Sequence, residues 1–82
     1  MDIIITPEAE KQYSKLPKIE QKKIKKKLLI LEQNQTAGKK LLGASSEIYS
    51  LRAWPYRILY YINQSQKTIY IVTIAHKQGV YS

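Results

Sequence analysis

The spacing of apolar residues changes period once along this chain, and that change restricts the fold more than any other feature of the sequence. Residues 7–33 place apolar side chains at helical intervals, whereas residues 47–75 alternate with a period of two. Between them, residues 36–46 contain Gly38, Gly43, Ser45 and Ser46 and are expected to form a loop, with Lys39, Lys40, Leu41 and Leu42 in its middle. Helices therefore come before strands, which is the segregated order of an α+β domain.

The chain opens on Asp2-Ile-Ile-Ile-Thr6, a short β-branched run ended by Thr-Pro, which predicts a buried strand and then a helix start. Thr6 can cap that helix, Pro7 suits its first position, and Glu8 and Glu10 favour the positive end of its dipole. Ala9, Tyr13 and Leu16 form an apolar stripe that Leu16-Pro17 interrupts. A second helix is expected from Lys18 to about Gln33, with Ile24, Leu28 and Leu31 on one face. Strands are expected at 47–53, 56–63 and 68–75, the last two joined as a hairpin by the polar residues 64–67. The predicted architecture is an N-terminal strand and a helical hairpin packed on a small, mainly antiparallel sheet, in the order βααβββ. The hairpin covers one face of that sheet and leaves the other available to a ligand.

A chain of 82 residues is expected to form a single domain over residues 1–82, which excludes a multidomain enzyme. It has no cysteine, so disulfides, thiolate nucleophiles and thiolate zinc sites are excluded together, and a reducing cytoplasm fits best. The apolar runs at 27–31 and 56–62 fall far short of the roughly 20 residues of a membrane helix. The N-terminus, with Asp2 and no cationic stretch, does not read as a signal peptide, so a soluble, cytoplasmic protein is expected. The net charge is +8, and its distribution is uneven. Residues 1–32 hold eight bases and five acids, whereas residues 33–82 hold six bases and one acid, Glu47. Such a balance implies a polyanionic or acidic partner.

Several side chains can carry chemistry, each with a plainer alternative. The lysine-rich segment 18–27 reads as the solvated face of a helix, and in competition as a contact to a nucleic-acid backbone, which would position a strand without reading bases. Arg52 and Arg57 flank the tight connection Ala53-Trp54-Pro55-Tyr56, so their guanidinium groups are expected close together on the sheet. Two such planar forks suit phosphate oxygens and can neutralise charge that grows in a transition state; the alternative is pairing with Glu47 or a strand end. His76 is the only histidine and the obvious candidate for a general acid or base; alternation assigns it to the face of Tyr70, Val72 and Ile74, where a structural hydrogen bond is the alternative role. Tyr81 is either a proton-transfer group assisted by nearby cations such as Arg57 and Lys77, or a terminal ring packed on the sheet. The abundant tyrosines of the strand half serve as core filler or as stacking platforms for bases. One histidine with scattered carboxylates offers no metal site, and three widely spaced glycines offer no phosphate loop, so no cofactor is expected.

In order and spacing, Lys40-Leu-Leu-Gly43, Tyr49-Ser-Leu-Arg52, Tyr56-Arg-Ile-Leu-Tyr60 and Ile74-Ala-His-Lys77 with Val80-Tyr81 resemble the RelE/ParE toxin superfamily of type II toxin-antitoxin systems. The resemblance covers essentially the whole chain. It implies a ribosome-dependent mRNA endonuclease that enters the decoding site, where the 2′-hydroxyl of the bound codon attacks the adjacent phosphate without a metal. On that resemblance, Arg57 stabilises the transition state, Arg52 binds the RNA backbone, Tyr81 stacks on the substrate or transfers a proton, and Lys77 stands where an arginine is common, with His76 beside it. Lys39 and Lys40 are further RNA-binding candidates. Ile48 and Ser50 occupy positions where RelE has two lysines, one of them the general base. Either His76 or Tyr81 assumes that role, or cleavage is weak or absent.

Two alternatives follow from the same resemblance. The ParE branch shares the fold and poisons DNA gyrase, and a catalytically weak member would only bind its antitoxin. In every case the expected partner is a cognate antitoxin with an acidic, amphipathic segment, in a toxin-antitoxin hetero-oligomer. Ribosome and mRNA join it in the endonuclease reading, and no membrane is involved.

Overall fold

In a computed structural model, residues 1–40 and 48–76 are described. Strand β1 (Asp2–Ile5) leads into helices α1 (Pro7–Ser14) and α2 (Lys18–Gln33). Strands β2 (Lys39–Lys40), β3 (Ile48–Ala53), β4 (Tyr56–Asn63) and β5 (Thr68–His76) follow. The strands form one five-stranded sheet in the order β1-β5-β4-β3-β2. β1 runs parallel to β5, and the other pairings are antiparallel. This is the expected α+β arrangement of a helical pair on a mainly antiparallel sheet.

Thr6 caps α1 as expected, accepting from the Ala9 N–H at 3.4 Å, with Pro7 at the first helical position. The same hydroxyl donates to the Ile71 carbonyl at 2.8 Å, so the residue that starts the helix also fastens it to β5. Ala9 of α1 and Ile24 and Leu31 of α2 are fully buried, with Tyr13, Leu16 and Leu28 packed around them. They meet Leu51, Ala53, Ile58, Tyr60, Ile62, Ile69, Ile71 and Ile74 from one face of the sheet, which makes a single hydrophobic core.

Three expectations change in the folded chain. β1 is an edge strand, with Ile4 and Ile5 exposed instead of buried; it pairs in parallel with β5 on one side, and among the described residues no strand lies beyond it. Lys39 and Lys40 form a strand instead of the middle of a loop, paired with Ser50 and Tyr49 respectively. The rest of the expected loop, 41–46, lies outside the described residues, as does Glu47. Finally, β5 contains a bulge: Leu59 pairs with Thr73 and Tyr60 with Ile71, so Val72 has no partner on β4. Ile71 and Ile74 are therefore both buried, and the expected alternation breaks between them.

β2 is held by Tyr60. The Tyr60 hydroxyl accepts from the Gly38 N–H at 3.0 Å and donates to the Gln35 carbonyl at 2.9 Å, while its ring stacks on Tyr49 at 5.4 Å. Gly38 approaches so closely that an added Cβ would lie 2.7 Å from the Ser50 carbonyl oxygen and 2.9 Å from the Tyr60 hydroxyl. Glycine is required there by space.

Burial raises the pKa of the Tyr60 phenol, against the lowering influence of the Gly38 N–H. A folded-state pKa above the unfolded one leaves stability unaffected below about pH 10 and removes it as pH rises further, because the unfolded tyrosine ionises first. Tyr60→Phe is expected to cost about 1–3 kcal/mol through the two orphaned backbone groups and to flatten the alkaline decline of stability, both readable from denaturant melts between pH 8 and 11.

Candidate functional site

Alternation along the central strands sorts their side chains onto two faces. Tyr49, Leu51 and Ala53 of β3 and Tyr56, Ile58, Tyr60 and Ile62 of β4 turn toward the helices. Ile48, Ser50 and Arg52, with Arg57, Leu59 and Tyr61, occupy the face away from them. Arg52 and Arg57 are direct cross-strand partners on that far face, joined through the Trp54-Pro55 turn, whose peptide bond is cis. Directly opposed residues hold their Cβ atoms about 4.5–5.5 Å apart, so the two guanidinium groups share one patch of surface. Arg52 is exposed and Arg57 half-buried.

α2 braces this turn. Lys23 Nζ donates to the Trp54 carbonyl at 3.1 Å and pairs with Glu20 at 3.4 Å. One lysine of the basic run therefore has a structural contact, whereas Lys18, Lys22, Lys25 and Lys26 are exposed along the helix.

The short strand β2 divides its two lysines. Lys39 pairs with Ser50 and stands on the far face with the arginines, whereas Lys40 pairs with Tyr49 and belongs to the opposite one. Of the two, Lys39 joins the arginine patch. Ser50 between them is only 7% exposed, and its Oγ is buried with no hydrogen-bond partner. An unsatisfied buried hydroxyl costs about 1–3 kcal/mol, and such groups are rare.

His76 is placed differently from the sequence expectation. It shares the parity of Ile74, as alternation required, but the bulge at Val72 turns that parity toward the helix side. His76 pairs with Tyr56 and meets its ring edge-on at 5.5 Å, while Arg57 pairs with Ala75. Consecutive strand positions thus send Arg57 and the His76 partner Tyr56 to opposite faces. Lys77 and Tyr81, the other proposed catalytic residues, lie outside the described residues. Among the described residues, no group of three His, Cys, Asp or Glu side chains could hold a metal ion, and no helix is long and apolar enough to cross a membrane.

The end of β5 is fixed from α1. Past the last residue of β1, Gln12 takes over the edge: its Oε1 accepts from the Ile74 N–H at 2.6 Å, and its Nε2 donates to Thr73 Oγ1 at 3.0 Å. Thr73 Oγ1 also lies 3.2 Å from Glu8 Oε2. Sequence reasoning missed this clamp, because a polar residue on an exposed-looking helix position carries no sign of its strand partner. It also missed Ser50 as a buried hydroxyl, for which the only signal is a small polar residue within an otherwise bulky strand.

A family model for the ParE toxin of the type II toxin-antitoxin system parDE matches residues 3–81. Among solved structures, the chain is similar to the toxin-antitoxin complex RelBE2 of Mycobacterium tuberculosis, with a TM-score of 0.82 and 25% identity over 92% of this chain and 95% of that one. It is similar also to the intact RelBE complex of E. coli, with a TM-score of 0.80 and 22% identity over 92% and 94% of the two chains. The YoeB/ParE toxin of Agrobacterium tumefaciens gives 0.78 and 17% over 93% and 98%, and these last two likenesses establish the fold. No curated protein matches the sequence significantly.

Replacing Gln12 by Leu leaves the Ile74 N–H without its acceptor. The expected outcome is a loss of about 1–3 kcal/mol, with faster amide exchange concentrated at Thr73 to Ala75 in a hydrogen-exchange measurement.

Proposed function

The chain belongs to the RelE/ParE superfamily of type II toxin-antitoxin toxins, and from that premise we propose that it is a ribosome-dependent mRNA endonuclease. The observation that carries this reading is the Arg52–Arg57 cross-strand pair on the sheet face that neither helix covers, with Lys39 on the same face. In the reaction, a ribose 2′-oxygen attacks the adjacent phosphorus, the bond to the 5′-oxygen breaks, and a proton passes from the nucleophile to a base while the leaving oxygen gains one. Negative charge grows on the non-bridging oxygens, where a planar guanidinium binds two of them at once.

Arg57 is assigned to that charge, and Arg52 and Lys39 to the flanking RNA backbone. Lys40, on the other side of the sheet, serves at most a peripheral strand contact. Tyr81 is assigned to stacking on the substrate or to proton transfer, with Lys77 as an additional cation. His76, engaged with Tyr56, is the weaker candidate for the base. An antitoxin partner is supported by neighbours solved as RelBE complexes, and the +8 charge favours an acidic neutralising segment.

A second reading, inhibition of DNA gyrase, is favoured by the match to a ParE family model. The two separate in parallel assays. Purified protein is expected to cut mRNA on programmed ribosomes with a defined codon in the decoding site, to leave free RNA intact, and to leave gyrase supercoiling unaffected; gyrase inhibition with intact mRNA reverses the assignment.

Arg57→Ala is expected to lower ribosome-dependent cleavage by about 10²–10³-fold while the melting temperature barely moves, since loss of one charge-stabilising donor has effects of that size. Undiminished cleavage would remove Arg57 from the reaction. In Tyr81→Phe, a comparable loss assigns the hydroxyl to proton transfer, and near-normal cleavage assigns the ring to stacking.

A further inference from the structure

Among the described residues, Lys23 is the only lysine of α2 that pairs with an acid, and its ammonium reaches the turn between β3 and β4. Nζ lies 3.4 Å from Glu20 and donates to the Trp54 carbonyl at 3.1 Å, whereas Lys18, Lys22, Lys25 and Lys26 are exposed. Its neighbour Ile24 is fully buried, so the lysine stem leaves a fixed part of the helix. Trp54 and Pro55 lie past the last ladder pair of the hairpin, Ala53 with Tyr56, and Arg52 and Arg57 form the pair just before it. We propose that Lys23 is a positioning residue for the reaction on the far face: through the Trp54 carbonyl it sets the separation and direction of the Arg52 and Arg57 guanidinium groups. The inference rests on the RNA-cleaving reading of that face and gives one lysine of the basic run a role other than contact with a nucleic acid.

The need for such a strut follows from the arginines themselves. Like charges directly opposite on neighbouring strands repel, and the end of a hairpin is where the ladder opens most easily. A strut with an uncompensated charge would add to the repulsion. Lys23 avoids this: Glu20 offsets its charge, and its ammonium has donors enough for both the carboxylate and the carbonyl. The Glu20 side chain is only 19% exposed, which shields the pair from solvent and salt. Lys23 also acts from the helix side, whereas Arg52 and Arg57 occupy the far face, so it holds their turn without entering the space of the substrate. A displacement of about 1 Å at a reacting group, caused by a change remote from it, can cost about 10²-fold in rate.

The test compares wild type with Lys23→Met, which keeps the apolar stem and loses the donor, and with Lys23→Arg, which keeps a donor and the charge. A double variant, Glu20→Gln with Lys23→Met, removes the carboxylate that the single change leaves unpaired. Each is read by melting temperature, by NMR of the Arg52 and Arg57 Nε–H groups with amide exchange over residues 52–57, and by ribosome-dependent mRNA cleavage resolved into kcat and KM. Lys23→Met and the double variant are expected to shift both arginine signals, to exchange faster at the turn, and to lower kcat by about 10²-fold with KM little changed. The double variant is expected to melt close to wild type, and Lys23→Arg to recover most of the rate.

Several results overturn the proposal. Arginine signals and turn exchange that stay at their wild-type values in the double variant show that the carbonyl contact does not hold the pair. A rise in KM alone, with a weaker dependence on salt, makes Lys23 a contact to RNA phosphate instead. Cleavage that falls only as far as the melting temperature falls reduces Lys23 to a residue of the fold. If the turn loosens and the arginine signals move while the wild type cuts no ribosome-bound mRNA, the hold on the arginines stands and the endonuclease reading falls.

Discussion

The whole molecule is registered against β5. That strand is paired on one side to β4 along its length and on the other to β1, and where β1 ends, Thr6 and Gln12 continue the edge with side-chain hydrogen bonds. A backbone N–H or carbonyl left unpaired in the interior would be costly, so an element must occupy each stretch of that edge. α1 begins where it does because it inherits the role. The bulge at Val72 lies within this arrangement, and the Thr6 hydroxyl reaches both the Ile71 and Val72 carbonyls, at 2.8 and 3.3 Å. A local irregularity in one strand thereby fixes where the first helix starts and which way His76 points.

The far face of the sheet obeys a different constraint. Positive charges packed on neighbouring strand positions repel one another in the free protein, and the Arg52–Arg57 pairing places two of them directly opposite. Folding tolerates the arrangement because the apolar work is done on the other face by a continuous core from Ala9 to Ile74. The division lets one face hold the fold while the other carries the charge. Lys23 shows how the two are linked: by bonding the Trp54 carbonyl from α2, it anchors the turn that brings the arginines together.

Much of this was legible in the chain. The change of period at residues 36–46 gave the helix and strand halves, Thr6-Pro7 gave the start of α1, and the short Trp54-Pro55 connection implied that Arg52 and Arg57 would be neighbours. What could not be read depended on which partner a segment finds. Three isoleucines describe a strand equally well at a sheet's centre and at its edge, and only the pairing to β5 alone exposes Ile4 and Ile5. The strand at Lys39 and Lys40 is too short for any alternation to show. Val72 carries no glycine or proline to mark a bulge, so the face of His76 followed from an alternation that the fold interrupts. The burial of the Ser50 hydroxyl could not be read either, since a small polar residue in a strand looks the same on a covered and an open face.

The parallel pairing of the first and last strands has a consequence for how the protein comes into being. Asp2 is matched with Thr68, so the N-terminal strand has no partner until β5 has been synthesised. Closing such a long loop must precede any gain from the contact, which makes assembly non-local and comparatively slow. The arginine patch depends on β4 and the clamp on β5, both late in the chain, so a truncated nascent product has neither a finished sheet nor an assembled cationic face. The cationic face would be completed in a single step, once β5 has been made.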